Sequence, residues 1–382
     1  MKNNQYQNFK LLCSFLRTEE GSQHPSYTEN EIKKIDWEKL FQLADGYLVL
    51  PALYLGLKRK GYLKSLDQEA HNFLKTIYGF NCEHNQKLKE EALSVIRILN
   101  SQEIQPVLLK GVAGLLTGLY EEDGERIIGD IDLLVDQLEV AKVVRLLIGH
   151  GYHCDKEVSE RVFEGDFIRH ELTIMTESHS VKIDLHVRPA GSSGKKTFIS
   201  VAEAREGAQV VDVEGARALL PPPFFRLMHN FYHAQHIDRS YLSGQIHLRQ
   251  LIDWVKLWKQ YGSEVGLAKI NSKVRWYRKF LSYRLYLLNA WRLLKLPIPK
   301  GIKISWMERL LFRRQELCVQ NAWFNRVNGV SVYVASAPLL LTPESLRQSF
   351  GDLPLRSLIK MRTKKLLEPG WYLRRMKEIK KL

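Results

Sequence analysis

The chain has 382 residues, 45% hydrophobic and 26% charged, a composition that excludes long disorder and leaves room for two or three domains with a substantial core. Its formal charge of +15 implies attraction to polyanions, with nucleotides, nucleic acid and anionic membrane surfaces all candidates. Four scattered cysteines without a Cys-x-x-Cys pair suggest neither a zinc ribbon nor a disulfide scaffold and fit a reducing cytoplasm, while the polar start and the short, Pro338-broken apolar run near Val330 to Leu341 predict no signal peptide and no membrane span.

Residues 1 to about 95 read as helices. Ile32, Ile35, Trp37, Leu40, Phe41 and Leu43 form an apolar stripe between Asn30 and Ala44, with Trp37 read as a packing residue, and Pro51 marks the next helix start. A longer helix is expected from Gln68 to Leu99, with Phe73, Ile77, Leu88, Leu93 and Ile96 facing inward.

Pro106 to Leu109 is a short apolar strand ending in Lys110-Gly111, after which Ala113 to Tyr120 has helical composition. A glycine at such a turn lets a backbone approach a phosphate, a helix start offers unpaired N–H groups, and Lys110 adds a positive charge; an ordinary strand-to-helix turn is the plainer alternative. A polar loop, Glu121 to Arg126, leads to Gly129-Asp130-Ile131-Asp132-Leu133-Leu134-Val135. Its period of two puts Ile131, Leu133 and Val135 on one face and both aspartates on the other. Arg126, at the loop's exit, could reach a phosphate or pair with a site carboxylate.

A helix from Leu138 to Ile148 comes next, then strands near His153 and from Phe163 to Phe167. His170 to Met175 is expected to form a hairpin with Val181 to Val187, where Lys182, Asp184 and His186 share one face. Asp130, Asp132 and Asp184 on neighbouring strands would repel one another unless a cation neutralised them, most plausibly Mg²⁺, which prefers oxygen ligands. Taken alone, an Asp-x-Asp pair more often lines the wet face of an edge strand.

Taken together, Leu-Leu-Lys-Gly, Leu119-Tyr120, Arg126-Ile-Ile-Gly-Asp130-Ile-Asp132-Leu-Leu-Val, Gly151-Tyr152 and Ile-Asp184-Leu-His186 resemble a bacterial nucleotidyltransferase-like family of the DNA polymerase beta superfamily. The likeness covers roughly residues 30 to 255 and is densest from Leu108 to Val187. It implies an α+β fold: a polymerase-beta-like palm with a mixed sheet and helices on one face, flanked by N-terminal and C-terminal helical regions. The boundaries expected are 1–100, 101–215 and 216–382. The resemblance also implies two Mg²⁺ ions, with Mn²⁺ possible, held by Asp130, Asp132 and Asp184, and phosphates held at Gly111 with Lys110, and with Arg126 as a weaker candidate. Lys110-Gly111-Val112 departs from the superfamily's Gly-Ser or Gly-Gly turn, so a serine contact to phosphate is absent, and Val187 stands where related chains often have Trp. The activity implied is transfer of a nucleoside monophosphate from an NTP, ATP foremost, to an acceptor that the sequence does not specify. A tRNA-directed toxin and a non-catalytic nucleotide-binding module are the alternatives.

After a polar loop at 190–200 and Pro221-Pro222-Pro223, a helix from Phe224 to Gln235 carries His229 and His233 on one face, with His236 just beyond. That spacing raises a zinc alternative, but Asn230 occupies the place of the glutamate in His-Glu-x-x-His. Leu248 begins another helix, with Arg249 and Asp253 at ion-pair spacing. The remainder reads as mainly helical, with a basic aromatic patch at Lys273 to Lys279 and a helix start at Thr342-Pro343-Glu344. From Arg356 to Leu382 ten Lys or Arg face two Glu, so RNA or another polyanion is a candidate partner for the tail; a packed terminal helix with solvated lysines is the plainer reading.

Overall fold

The computed structural model describes residues 5–17, 27–165, 171–176, 181–190 and 197–336. Five helices come first: α1 (Gln5–Leu16), α2 (Glu29–Lys33), α3 (Trp37–Gly46), α4 (Leu50–Arg59) and α5 (Gln68–Asn100). The stripe from Asn30 to Ala44 is divided between two helices because Asp36 leaves the helical conformation and caps α3, its carboxylate accepting from the Lys39 N–H. Pro51 stands in the first turn of α4, where its missing N–H costs nothing. In α5, Leu88, Leu93 and Ile96 are buried, whereas Phe73 is 42% exposed and stacks on Phe41 at the surface.

One mixed seven-stranded sheet follows. Its strands are β1 (Val107–Leu108), β2 (Ile131–Leu134), β3 (His153–Cys154), β4 (Glu171–Met175), β5 (Lys182–His186), β6 (Gln209–Val213) and β7 (Ala216–Leu220), in the order β3-β4-β5-β2-β1-β7-β6. β4 and β5 form the expected antiparallel hairpin, and β2 lies parallel to β5. Between the strands lie α6 (Lys110–Leu116), α7 (Val140–Gly149), α8 (Lys156–Phe163) and α9 (Val201–Arg205).

Three stretches differ from the sequence reading. The helix after β1 begins at Lys110 and stops at Leu116 instead of running from Ala113 to Tyr120, because Gly118 takes a left-handed φ of 67°. Phe163 closes a helix, not a strand: Asp155 caps α8 and Glu157 pairs with Arg161 one turn on. The rest of that expected strand, to Phe167, and His170 lie outside the described residues. The hairpin β6–β7, turning through Glu214 and Gly215 at positive φ, was not read from the sequence and places β7 beside β1.

The C-terminal part is helical: α10 (Pro223–Tyr232), a π-helical turn (His233–Ile237), α11 (Ser240–Ser243), α12 (Leu248–Tyr261), α13 (Leu267–Trp276), α14 (Phe280–Leu294), α15 (Trp306–Gln320) and α16 (Ala322–Ser336). None of the described helices is long and apolar enough to cross a membrane.

Strand alternation sorts the side chains into two cores. Ile131, Leu133, Ile183, Leu185 and Val187 pack with Leu93, Ile96 and Leu99 of α5 and with Val143 and Leu147 of α7. On the opposite side Val107, Leu109 and Leu134 join a second core, in which Phe9 and Trp37 meet Phe231, Trp254 and Tyr286. Helices therefore flank both faces of the sheet, where the sequence reading placed them on one. Asp132, Asp184 and His186 lie on the side of the second core, at the seam between sheet and helices.

Candidate active site

Parallel pairing in the register Asp132↔Asp184 sets two carboxylates side by side, and Asp130 precedes β2 by one residue on the same face. One oxygen from each of the three lies within 4.8 Å of the others. Ligand oxygens sharing a Mg²⁺ ion are at most about 4.2 Å apart, a small side-chain adjustment from this spacing. An all-oxygen donor set suits Mg²⁺ or Mn²⁺ and disfavours metals that prefer thiolate.

Asp132 is buried, and its Oδ1 is met by Lys110 Nζ at 2.6 Å and His186 Nε2 at 2.8 Å. Burial raises a carboxyl's pKa, but the His186 and Lys110 contacts outweigh it and hold Asp132 well below the usual range. Asp184 accepts from Thr173 Oγ1 at 2.8 Å on one oxygen and from Lys182 Nζ at 2.6 Å on the other. Asp130 shifts the opposite way, raised by burial and then by the neighbouring Asp132. Divergent shifts among crowded carboxylates mark a site where the protein controls charge.

Lys110 has a φ of 46°, an uncommon backbone conformation for a residue with a Cβ, and such strain costs on the order of 1–3 kcal/mol. Gly111 follows it. A Cβ there would stand 2.5 Å from Arg126 Nη1 and 3.1 Å from Ile128 Cγ2, so the glycine admits the guanidinium against the turn. Arg126 is mostly covered, its side chain 10% exposed, and its Nε donates to Asp253 Oδ2 at 2.7 Å. Asp253 thus pairs with Arg126 across the seam; Arg249, its neighbour at i,i+4 spacing, donates instead to the Ile127 carbonyl at 2.8 Å. Lys110 and Arg126 share a cavity of about 60 Å³ with His229, His233 and Asp253.

A family model described as uncharacterised nucleotidyltransferase matches residues 33–295, well over half of the chain. The chain belongs to this nucleotidyltransferase family. No curated protein and no solved structure matches it. The matched span contains the three aspartates, the Lys110-Gly111 turn and Arg126, together with the helices α3 to α14 that enclose them.

In this nucleotidyltransferase-family protein the histidines of α10 and of the π-helical turn are bonded to protein groups. His229 Nε2 lies 3.0 Å from the Pro189 carbonyl, His233 Nδ1 3.2 Å from Asp238, and His236 Nε2 2.9 Å from Ser282 Oγ. Among the described residues the aspartate triad is the only cluster of three or more side chains able to hold a metal. The patch at 273–279 is partly internal, with Lys273 paired to Glu203 and stacked over Phe198. The basic tail from Arg356 and the helix start at Thr342 lie outside the described residues.

Sequence reasoning missed the residues that hold the loop before β2. From α5, Asn81 donates to the Gly124 carbonyl, Asn85 to the Asp123 and Arg126 carbonyls, and the His84 ring meets the Ile128 carbonyl. From α12, Lys256 pairs with Glu125 at 2.9 Å. Asparagines one turn apart, Asn81 and Asn85, on the face that α5 turns inward were the available signal. Thr173 was also missed: a hairpin closed by Thr176 to Ser180 sets it opposite Ile183, whereas the observed register is shifted by one and pairs it with Asp184.

Proposed function

We propose that this protein transfers a nucleoside monophosphate from an NTP, ATP foremost, to a hydroxyl-bearing acceptor, with divalent metal bound at Asp130, Asp132 and Asp184. The observation that carries the reading is the parallel register of β2 and β5, which gathers three carboxylate oxygens within 4.8 Å in a chain of this family. When bound, Mg²⁺ or Mn²⁺ supplies charge neutralisation for the triphosphate and lowers the pKa of the attacking hydroxyl. His186 fixes Asp132 through Oδ1, while Thr173 and Lys182 fix both oxygens of Asp184, so two of the three ligands are oriented before any substrate arrives. Lys110, 2.6 Å from Asp132 as Lys182 is from Asp184, is the cation carried on the turn and takes the phosphates there, with Gly111 leaving room and Arg126 bracing the turn from behind. The acceptor oxygen bonds to the α-phosphorus as the bond from that phosphorus to the β-bridging oxygen breaks. Pyrophosphate departs with the electron pair, and the hydroxyl proton passes to Asp184 or water.

The test is pyrophosphate release from ATP and Mg²⁺ in the presence of a cell extract, for the native chain and for Asp130→Asn and Asp132→Asn, with thermal melting run in parallel. Each substitution removes a ligand charge but little volume, so turnover is expected to fall by more than about 100-fold, with the fold retained. Near-native turnover in either variant would falsify the assignment of the site.

A further inference from the structure

A second opening adjoins the aspartate site and has no role in the chemistry above. It is a groove of about 790 Å³ between α1 and α3 on one side and the start of α12 on the other, a size typical of small-molecule sites. Two residues connect it to the site. Gln250 lines both this groove and the cavity at Lys110. Arg249 lines the groove, bonds to the Ile127 carbonyl just before the aspartate strand, and feels the charge of Asp130.

The lining is unusually rich in carboxamides: Gln5, Asn8, Gln42, Gln245, Gln250 and Asn325. Carboxamides donate and accept together, the pattern that hydroxyl groups also present. The groove's one carboxylate, Asp238, is taken up by His233 and Gln250, which leaves nothing to recruit a polycation. Lys39 is paired with Asp36, so Arg249 is too solitary a charge for a nucleic-acid track. Two buried polar atoms among the lining residues, Gln250 Oε1 and His247 Nε2, have no hydrogen-bond partner among the described residues. Gln250 Nε2 is directed to Asp238 at 2.6 Å, so the orphan is its acceptor end. His247 is bonded to the Asp238 backbone and kept neutral chiefly by burial, which makes its free nitrogen an acceptor too. Two buried acceptors without donors call for a ligand that brings O–H groups, because an unpaired buried acceptor is costly.

We infer that this groove is the acceptor site, and that the acceptor is an uncharged, hydroxyl-rich small molecule whose hydroxyl reaches the aspartates past Arg249 and Gln250. The inference rests on the nucleotidyltransferase reading for its chemistry but not for its binding. One of its hydroxyl oxygens forms the new bond to the α-phosphorus, pyrophosphate leaves with the pair from the broken bond, and the hydroxyl proton is released.

The test uses the full chain carrying Gln42→Cys, an exposed position at the groove. Its probes are three fractions of a cell extract: protein, RNA, and a deproteinised filtrate stripped of charged molecules. The first readout is the alkylation rate of that cysteine, resolved by mass spectrometry, and the neutral filtrate is expected to slow it several-fold whereas RNA and protein leave it unchanged. The second is transfer of label from α-labelled ATP. Label is expected in the neutral filtrate, and it should drop at least about tenfold once the cysteine carries a bulky maleimide, with Mg-ATP affinity by calorimetry unchanged. Protection without any transfer upholds the groove and counts against the nucleotidyltransferase reading. No protection by the neutral filtrate, label on RNA or protein, or transfer indifferent to the maleimide each overturns the inference.

Discussion

At the scale of single residues the site is a problem in charge placement. Asp132 is fully buried among Asp130, Asp184, Lys110 and His186 and remains a carboxylate because Lys110 and His186 both contact Oδ1. Losing either contact should therefore have different consequences. His186 orients Asp132 from behind, so His186→Gln is expected to weaken Mg²⁺ or Mn²⁺ binding by about 10- to 100-fold, measured by calorimetry, with a smaller change in melting temperature than Asp132→Leu. If Lys110 takes the phosphates as proposed, Lys110→Ala should weaken Mg-ATP binding about tenfold, the loss of one charge-assisted contact. An unchanged ATP affinity would leave Lys110 only its bond to Asp132.

At the scale of elements the loop from Glu121 to Ile128 is gripped from two sides. The α5 asparagines take its carbonyls, and α12 takes its side chains through Lys256–Glu125 and Arg126–Asp253. Arg126→Met leaves Asp253 buried without its partner and should cost about 3 kcal/mol, read as a lower denaturant midpoint. The double variant Arg126→Met with Asp253→Leu should recover most of that stability. If the arginine also touches nucleotide, ATP affinity will stay low in the recovered protein; if it only braces the turn, affinity will return with the fold. The α10 region makes a separate prediction. Burial lowers the pKa of His236 to about 3, with Lys279 adding to the effect, and burial holds His229 well below its usual value. The unfolded chain takes up these protons near pH 6.5, and the folded chain does not until lower pH. Stability should therefore be complete above about pH 6.5 and fall as the pH drops toward 3, and His236→Gln should make that fall shallower in thermal melts across the range.

At the scale of the whole molecule, what the sequence made legible was whatever is written in local periodicity. The aspartate strands show alternation of two, and α5 shows its length through its stripe and cap, so both could be located residue by residue. The triad followed because the family likeness implied that the three aspartates share one metal site; the parallel register that brings them together was not read from the sequence. The Arg126–Asp253 pair joins positions 127 residues apart and leaves no local trace, and its alternative, Arg249 with Asp253, was suggested by helical spacing that the fold overrides. The hairpin β6–β7 escaped notice because Gln209 and Val210 are exposed, so its alternation is weak.

The same long-range character governs stability. α5 joins the two cores along its length, with Ala70 and Leu74 in the helical core and Leu88, Leu93, Ile96 and Leu99 covering the sheet. β7, the neighbour of β1, begins at Ala216. A fragment of residues 101–215 would lack both the helix that covers the sheet and the strand beside β1. Each of the four α5 side chains contributes roughly 1.5–3 kcal/mol by burial, and their sum approaches the 5–15 kcal/mol that holds a domain together. The fragment is thus expected to show no cooperative thermal transition by circular dichroism, whereas residues 68–295, which retain α5, β7 and the helices through α14, should melt cooperatively though below the full chain, since α1 and α15 also pack against α14. A sharp melt from the 101–215 fragment would mean that the sheet can be covered without α5, and would make residues 101–215 an independent unit.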